Sequence, residues 1–329
     1  MFPETIGFIG ASRIATKHIK HLRIISPEAK IVIFSQHEKP RSDAETGILY
    51  TNSLESFVEM APGWVVITTA AANHHQHIET ICGVADAILI EKPLAATSLQ
   101  AQKILDAQTS SSCPIVVGYN LRFLKAFDQL TQVLKNGMLG HLYSVQVTVG
   151  QNLEAWRPER DIADTVSVKK SKGGGVLREL SHELDLMQAL FGSPAHCTMM
   201  ATAGKFNRFD VEDTAFIHAA YSVSSASPPF VASINMDFVR RDVTRQIVLI
   251  GENGTLNYDL IEGIIRFTND NETRTIFKVS DDIANSYQWM WEAFAAKQFN
   301  RFCSVENAID TILLIEKLEC GQISHDNKT

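Results

Sequence analysis

Five short apolar runs punctuate the first third of the chain: Thr5–Ile9, Lys30–Phe34, Trp64–Thr69, Ala87–Ile90 and Pro114–Gly118. Each is apolar almost throughout rather than alternating with polar residues. That pattern belongs to strands buried on both faces, as in parallel sheets. The intervening segments carry apolar residues at helical spacing: Ile14, Ile19 and Leu22, then Ile78, Ile81 and Val84, then Ile104 and Leu105 behind a capping Thr97. Strand, crossover and strand in repetition predict a right-handed parallel sheet with helices packed on it.

The period changes after residue 120. A helical pattern from Phe123 to Asn136 stops at Gly137, and then Val145, Val147 and Val149 alternate with Gln146 and Thr148. Alternation recurs at about 195–204, 213–223, 230–239, 245–250 and 273–279, with turn signals such as Glu252-Asn253-Gly254 between the segments. These are strands with one wet face. They predict a large, mostly antiparallel open sheet in an α+β domain. Residues 287–302 and 305–318 read as amphipathic helices, in which Trp289 and Trp291 suit a core or an interface. With 329 residues the chain is long enough for two domains, expected at 1–120 (α/β) and 121–329 (α+β).

Composition narrows the partners. Charged residues at 20% and hydrophobic ones at 45% are those of an ordinary globular protein. The formal charge of −7 is unclustered, so neither nucleic acid nor an anionic membrane is expected. No apolar run reaches membrane-spanning length, and Ile6-Gly7-Phe8-Ile9 follows Met1 so closely that no cleavable leader is expected. Cys82, Cys113, Cys197, Cys303 and Cys320 are scattered without a CxxC pair, which suits reduced thiols in a cytoplasmic protein.

Several stretches carry candidate chemistry. Beyond the first strand, Gly10, Ser12 and Ala15 stand where a dinucleotide fingerprint has three small residues, with serine in place of the middle glycine. A Cβ at Ser12 crowds a phosphate, while its hydroxyl and the helix amides can bind one. After the second strand, where an acid would hold the ribose of NAD, the chain reads Ser35-Gln36-His37. Lys39 and Arg41 nearby favour a 2′-phosphate and Glu38 opposes it, leaving NAD and NADP both open. His74, His75 and His77 lack an acidic or cysteine partner and read as capping or surface histidines, so no metal is expected. The run Ala87–Ile90 stops on Glu91-Lys92-Pro93, placing Lys92 at the carboxyl end of a buried strand, where ligands bind in open parallel sheets. Asn120 and Arg122 follow the next strand in the same way.

In the second half, Gly173-Gly174-Gly175 precedes a helical pattern. Leu177, Leu180, Leu184, Met187 and Leu190 form its apolar stripe, and Glu179, His182 and Asp185 share an arc opposite. A solvated polar face and a titratable site both satisfy this spacing; the triple glycine, which permits close backbone approach, favours the site. Trp156 and Arg157 suit stacking on a sugar or clamping an anion, or simply packing. The run Lys169-Lys170-Ser171-Lys172 reads as solvated.

Taken together, the Gly10 turn, Thr69 with His74, Glu91-Lys92-Pro93, Gly118 to Arg122 and the glycine-led Gly173–Asp185 stretch resemble the glucose-fructose oxidoreductase, inositol dehydrogenase and MocA (Gfo/Idh/MocA) family. The run from Gly150 through Trp156 to His182 is similar to bacterial members found with surface-sugar biosynthesis. The resemblance implies an NAD(P)-binding Rossmann domain, a second sheet used for substrate and for dimer or tetramer contacts, and hydride transfer at a sugar or polyol carbon. It carries the catalytic lysine onto Lys92 and the catalytic histidine onto His182; from its place on the same arc, Asp185 is expected to orient the imidazole. The family's usual aspartate four residues before the histidine is Arg178 here, leaving Glu179 as a shifted substitute. Expected cofactor contacts are Gly10, Ser12, Arg13, Ile14, Ser35, Thr69, His74, Glu91, Lys92 and Asn120; expected substrate contacts are Lys92, Arg122, Trp156, Arg157 and His182. The serine at 12, together with Ala70 and Arg178, also admits a non-catalytic NAD(P)-sensing protein on the same fold.

Overall fold

The computed structural model describes residues 2–36, 41–43, 46–156, 161–206, 208–222, 228–280 and 282–321. In chain order the first elements are β1 (Thr5–Ile9), α1 (Arg13–Ile25), β2 (Lys30–Phe34), β3 (Arg41–Asp43), β4 (Ile48–Thr51), α2 (Leu54–Glu59), β5 (Trp64–Ile67), α3 (Ile78–Cys82), β6 (Ala87–Ile90), α4 (Ser98–Ser111) and β7 (Ile115–Val117). Then come α5 (Lys125–Lys135), β8 (Leu142–Gly150), α6 (Leu153–Trp156), α7 (Val176–Glu179), α8 (His182–Phe191), β9 (His196–Thr202), β10 (Thr214–Tyr221) and β11 (Phe230–Asp237). The chain continues with β12 (Thr244–Gly251), β13 (Gly254–Asp259), β14 (Ile264–Thr268), β15 (Thr273–Lys278), α9 (Asp282–Ala295), β16 (Cys303–Ser304) and α10 (Val305–Cys320).

The chain divides into two compact units, Met1–Phe123 with Asn285–Ile312, and Leu124–Ala284 with Leu313–Thr329. A single boundary at 120 therefore does not describe it. The reason is burial: a parallel sheet must be covered on both faces. In the first unit the strand order is β16-β7-β6-β5-β1-β2-β4-β3, with β7, β6, β5, β1, β2 and β4 parallel. One face packs Ile6, Phe8, Ile31, Trp64 and Leu89 against α1 and against Met290, Trp291 and Phe294 of α9. The other packs Ile9, Val65, Ile67, Ile88 and Ile90 against α2 to α4 and against Val305, Ala308 and Ile309 of α10. The carboxyl-terminal helices are thus the missing cover of the amino-terminal sheet. Trp291 is wholly buried there, which makes it a core residue. β3 and β4 went unread in the sequence because only Ile48 and Leu49 are aliphatic there.

The second unit holds an eight-stranded sheet ordered β15-β14-β13-β12-β8-β11-β10-β9, antiparallel except for the β8–β11 pair. Val145, Val147, Ile217, Ile234, Ile247 and Leu249 point to its buried face. Its other face leaves Met200, Phe216 and Val231 exposed. β13 and β14, each too short to declare a period, extend the sheet beyond the Glu252-Asn253 turn. No described helix is long and apolar enough to cross a membrane.

Candidate functional site

In the first unit the strand order reverses between β1 and β5, and the loops after these two strands meet there. Such a switch point is where open α/β sheets bind ligands. Gly10 leaves β1 with φ +105°, and a Cβ on it would stand 3.1 Å from both Thr68 Oγ1 and Thr69 N, so the turn admits only glycine without strain. Thr68 Oγ1 donates to the Gly10 carbonyl at 3.0 Å and clips the two loops together. Ser12 then caps α1: its Oγ accepts from Ala15 N at 3.3 Å and donates to the Thr68 carbonyl at 3.0 Å. The hydroxyl proton of Ser12 is therefore spent inside the protein, and an anion at this helix end is left to the backbone amides.

Above this turn lies a cavity of about 390 Å³, lined among others by Gly10, Ser12, Ser35, Gln36, Thr69 and His77. Four expected cofactor residues, Gly10, Ser12, Ser35 and Thr69, are brought together in its wall. Thr69 Oγ1 is buried and has no hydrogen-bond partner among the described residues, so the wall keeps an unsatisfied polar atom. His77, absent from the sequence-based set, stands edge-on to Phe34 at 5.7 Å; burial, then the charge of His75, lowers its pKa. Arg13 and Ile14 lie in the first turn of α1 and do not line this cavity; Ile14 packs partly on the core. His37, Glu38 and Lys39 fall outside the described residues.

Two expected cofactor residues face inward instead. His74 is 1% exposed, with Nδ1 3.0 Å from the Leu94 carbonyl and Nε2 2.9 Å from the Thr69 carbonyl. It ties the loop after β5 to the segment after Lys92 and has no ring nitrogen left for a cofactor. Desolvation is the largest influence on it and lowers its pKa against the opposing pull of the two carbonyls. Glu91 is likewise internal, 6% exposed, with its carboxylate taken by His18, Tyr287 and the Lys92 amide. Lys92 itself is half-buried at the end of β6, and its bond to Pro93 is cis. Asn120 is buried and donates Nδ2–H to Ser286 Oγ at 2.6 Å. Arg122, half-buried, reaches the Phe302 carbonyl at 3.4 Å.

In the second unit the expected single helix is two. α7 ends at Glu179 and α8 begins at His182, with Leu180 and Ser181 between them. The shared arc of Glu179, His182 and Asp185, which presumed one continuous helix, therefore does not exist as drawn. The alternative of a solvated polar face also fails: His182, Glu183 and Asp185 are 9%, 1% and 1% exposed. Buried titratable groups on a helix mark a site or an ion-pair network. Glu183, unread in the sequence, pairs with Arg245 of β12 at 2.8 Å and ties α8 to the sheet. Its only signal was an acid at a position too close to the apolar stripe.

Two of the glycines make room for other parts of the chain. A Cβ on Gly174 would lie 2.4 Å from the Val166 carbonyl, and one on Gly175 would lie 2.6 Å from Glu212 Oε1. Glu212 in turn accepts from Leu177 N at 3.0 Å and caps α7. Arg178 is turned to Glu319, and Glu179 accepts from Ser167 Oγ at 2.6 Å. Trp156 stands edge-on to Phe238 at 5.7 Å, half-buried; Arg157 falls outside the described residues.

With this geometry in view, residues 5–119 match the profile of an oxidoreductase family with an NAD-binding Rossmann fold, and residues 127–257 match the GFO/IDH/MocA C-terminal domain. The chain is similar to the glucose-6-phosphate 3-dehydrogenase of Bacillus subtilis, 26% identical over 193 residues, 58% of this chain and 54% of that enzyme. The aligned stretch thus spans little more than half the length of that relative. Inositol 2-dehydrogenase of Acidothermus cellulolyticus is 25% identical over 287 residues, 82% of this chain and 77% of its own. Among solved structures, the WlbA dehydrogenase from Bordetella pertussis, in complex with NADH and UDP-GlcNAcA, superposes with a TM-score of 0.77 at 16% identity, over 97% of this chain and 96% of that one. At that identity the likeness is one of fold.

Proposed function

This chain belongs to the GFO/IDH/MocA oxidoreductases, and from that premise we propose that it transfers hydride between a nicotinamide and a secondary alcohol or ketone of a sugar, polyol or nucleotide sugar. The observation that carries the reading is the cavity at the switch point, where a glycine-only turn, a serine-capped helix and the unsatisfied Thr69 hydroxyl converge. These residues fit a dinucleotide: Gly10 admits close approach of a pyrophosphate, the amides at the start of α1 face its charge, and Thr69 Oγ1 offers a polar contact. Ser35 and Gln36 are uncharged, which suits either NAD or NADP.

Bound nicotinamide supplies the hydride acceptor or donor. The protein supplies proton and charge control. In the oxidative direction His182 takes the proton of the substrate hydroxyl, and the Lys92 ammonium stabilises the alkoxide that develops. Asp185, two residues beyond Glu183 on α8, keeps the expected role of orienting the imidazole. Arg122 and Trp156 remain the proposed substrate contacts. The exposed Met200, Phe216 and Val231 on the open sheet support assembly into a homodimer or homotetramer, since a large apolar sheet face is commonly covered by another chain.

The test begins with NADH and NADPH titrations on protein stripped of ligand, followed by a panel of sugars, polyols and sugar nucleotides. Binding of one dinucleotide in the micromolar range is expected. Lys92→Ala and His182→Ala should keep that binding and lose turnover by about 10² to 10⁴-fold. Wild-type turnover in both variants would remove the catalytic assignment.

A further inference from the structure

The residue before Lys92 sits in a polar cluster that the proposed chemistry does not use. Glu91 Oε1 is 2.8 Å from His18 Nε2 and 3.4 Å from the Tyr287 hydroxyl, and Glu91 Oε2 accepts from the backbone N–H of Lys92 at 3.1 Å. Burial opposes ionisation of this carboxyl, but the His18 hydrogen bond and the charges of His18 and Lys92 hold its pKa below the usual value. An ionised carboxylate only accepts, so His18 Nε2 carries a proton. His18 Nδ1 is buried without a partner among the described residues, so the ring's polar contact is the one to Glu91. Tyr287 is packed by the same helix: the Lys17 ammonium lies 4.0 Å from its ring centroid, and His21 stacks on it at 5.9 Å.

A buried carboxylate costs more than an apolar residue of the same size, so a core built only for stability gains nothing from it. What the arrangement supplies is direction. Donors from α1 and α9 converge on Oε1 of Glu91, and its Oε2 accepts from the amide of the next residue. We propose that His18 and Tyr287 are positioning residues for Lys92, acting through the buried carboxylate of Glu91. The inference rests on the role proposed for Lys92. It also links that lysine to the helix whose capped end forms the proposed cofactor cavity, because Ser12 caps the α1 that carries His18.

The experiment compares His18→Leu, His18→Gln and Tyr287→Phe by hydrogen exchange with mass detection, in the presence of saturating NADH, alongside kcat and KM on the substrate found above. Glutamine keeps an N–H at similar reach; leucine keeps bulk alone. Expected for His18→Leu is exchange at least about tenfold faster in the peptide containing Lys92, with β5 and β11 peptides unchanged. In that variant kcat falls while KM holds, His18→Gln restores both readouts, and Tyr287→Phe lies between. Exchange and kcat equal to wild type in His18→Leu and Tyr287→Phe would overturn the proposal. So would a glutamine variant as impaired as leucine, or acceleration spread equally over β5, since either outcome assigns mere packing. Exchange decides the positioning role even if no substrate is turned over, so its failure is separable from failure of the dehydrogenase reading.

Discussion

Arg178 and Glu319 form a forked ion pair: both terminal guanidinium nitrogens of the arginine meet the two carboxylate oxygens, Nη2 donating to Oε2 at 3.1 Å. The arginine side chain is 8% exposed and the glutamate 17%. This pairing explains how the chain tolerates arginine where the family resemblance expects aspartate. The side chain is committed to α10, and Glu179 beside it is held by Ser167.

Breaking that pair from one side leaves a desolvated charge. Arg178→Met or Glu319→Leu alone should cost about 3 kcal/mol of unfolding free energy in urea titrations. The double variant should cost clearly less than the sum, because it removes both charges together. Additive losses would show that the two side chains do not interact.

Glu212 is half-buried behind Gly175 and caps α7, and desolvation raises its pKa above the ordinary carboxylate value. The folded state therefore binds this proton more tightly than the unfolded chain. Its contribution to stability is complete below the unfolded value near 4.5 and is lost as pH rises through the folded one. Glu212→Gln keeps an acceptor for Leu177 N without the charge. It should raise the melting temperature at pH 7 to 8, and the gain should vanish near pH 4. An equal gain at both pH values would sink this account.

For His74 the direction is opposite. Burial lowers its pKa in the folded chain, so the unfolded chain binds the proton more tightly. The stability it contributes is present above the ordinary histidine value near 6.5 and is lost as pH falls through the lower, folded value. At pH 8 the neutral ring carries one N–H, so His74→Leu removes the donor to one of the Thr69 and Leu94 carbonyls and should cost about 1–3 kcal/mol. Its stability should also fall less steeply than wild type between pH 7 and 5, as read by urea midpoints at each pH.

Ser12 separates capping from cofactor approach. Ser12→Ala removes the cap and the bond to the Thr68 carbonyl, with an expected loss of about 1 kcal/mol. Ser12→Gly loses only a few tenths from the cap, since glycine is tolerated there, and clears the Cβ beneath the cavity. NADH fluorescence titration should show tighter binding for Ser12→Gly than for wild type. Weaker binding would mean that the serine hydroxyl itself contacts the cofactor.

Local pattern alone determined much of this protein. Unbroken apolar runs identified β1, β2, β5, β6 and β7, because a strand buried on both faces has no polar alternative. Alternation identified β8 and its neighbours, because a sheet with one wet face must alternate. The glycine turn at Gly10 and the strand end at Lys92 were legible for the same reason: backbone geometry restricts which residues can stand there. What the tertiary structure decided were relations between residues far apart in sequence. That α9 and α10 complete the amino-terminal sheet follows from which faces remained uncovered. That His74 and Glu91 turn inward depends on the Leu94 carbonyl and on His18 and Tyr287, up to 196 residues away. Helical spacing suggested one polar arc over Glu179, His182 and Asp185, yet the break at Leu180 and Ser181 divides it, and α8 is buried where spacing alone allowed a solvated face as readily as a site. Period reports which residues share a face; only packing reports what that face meets.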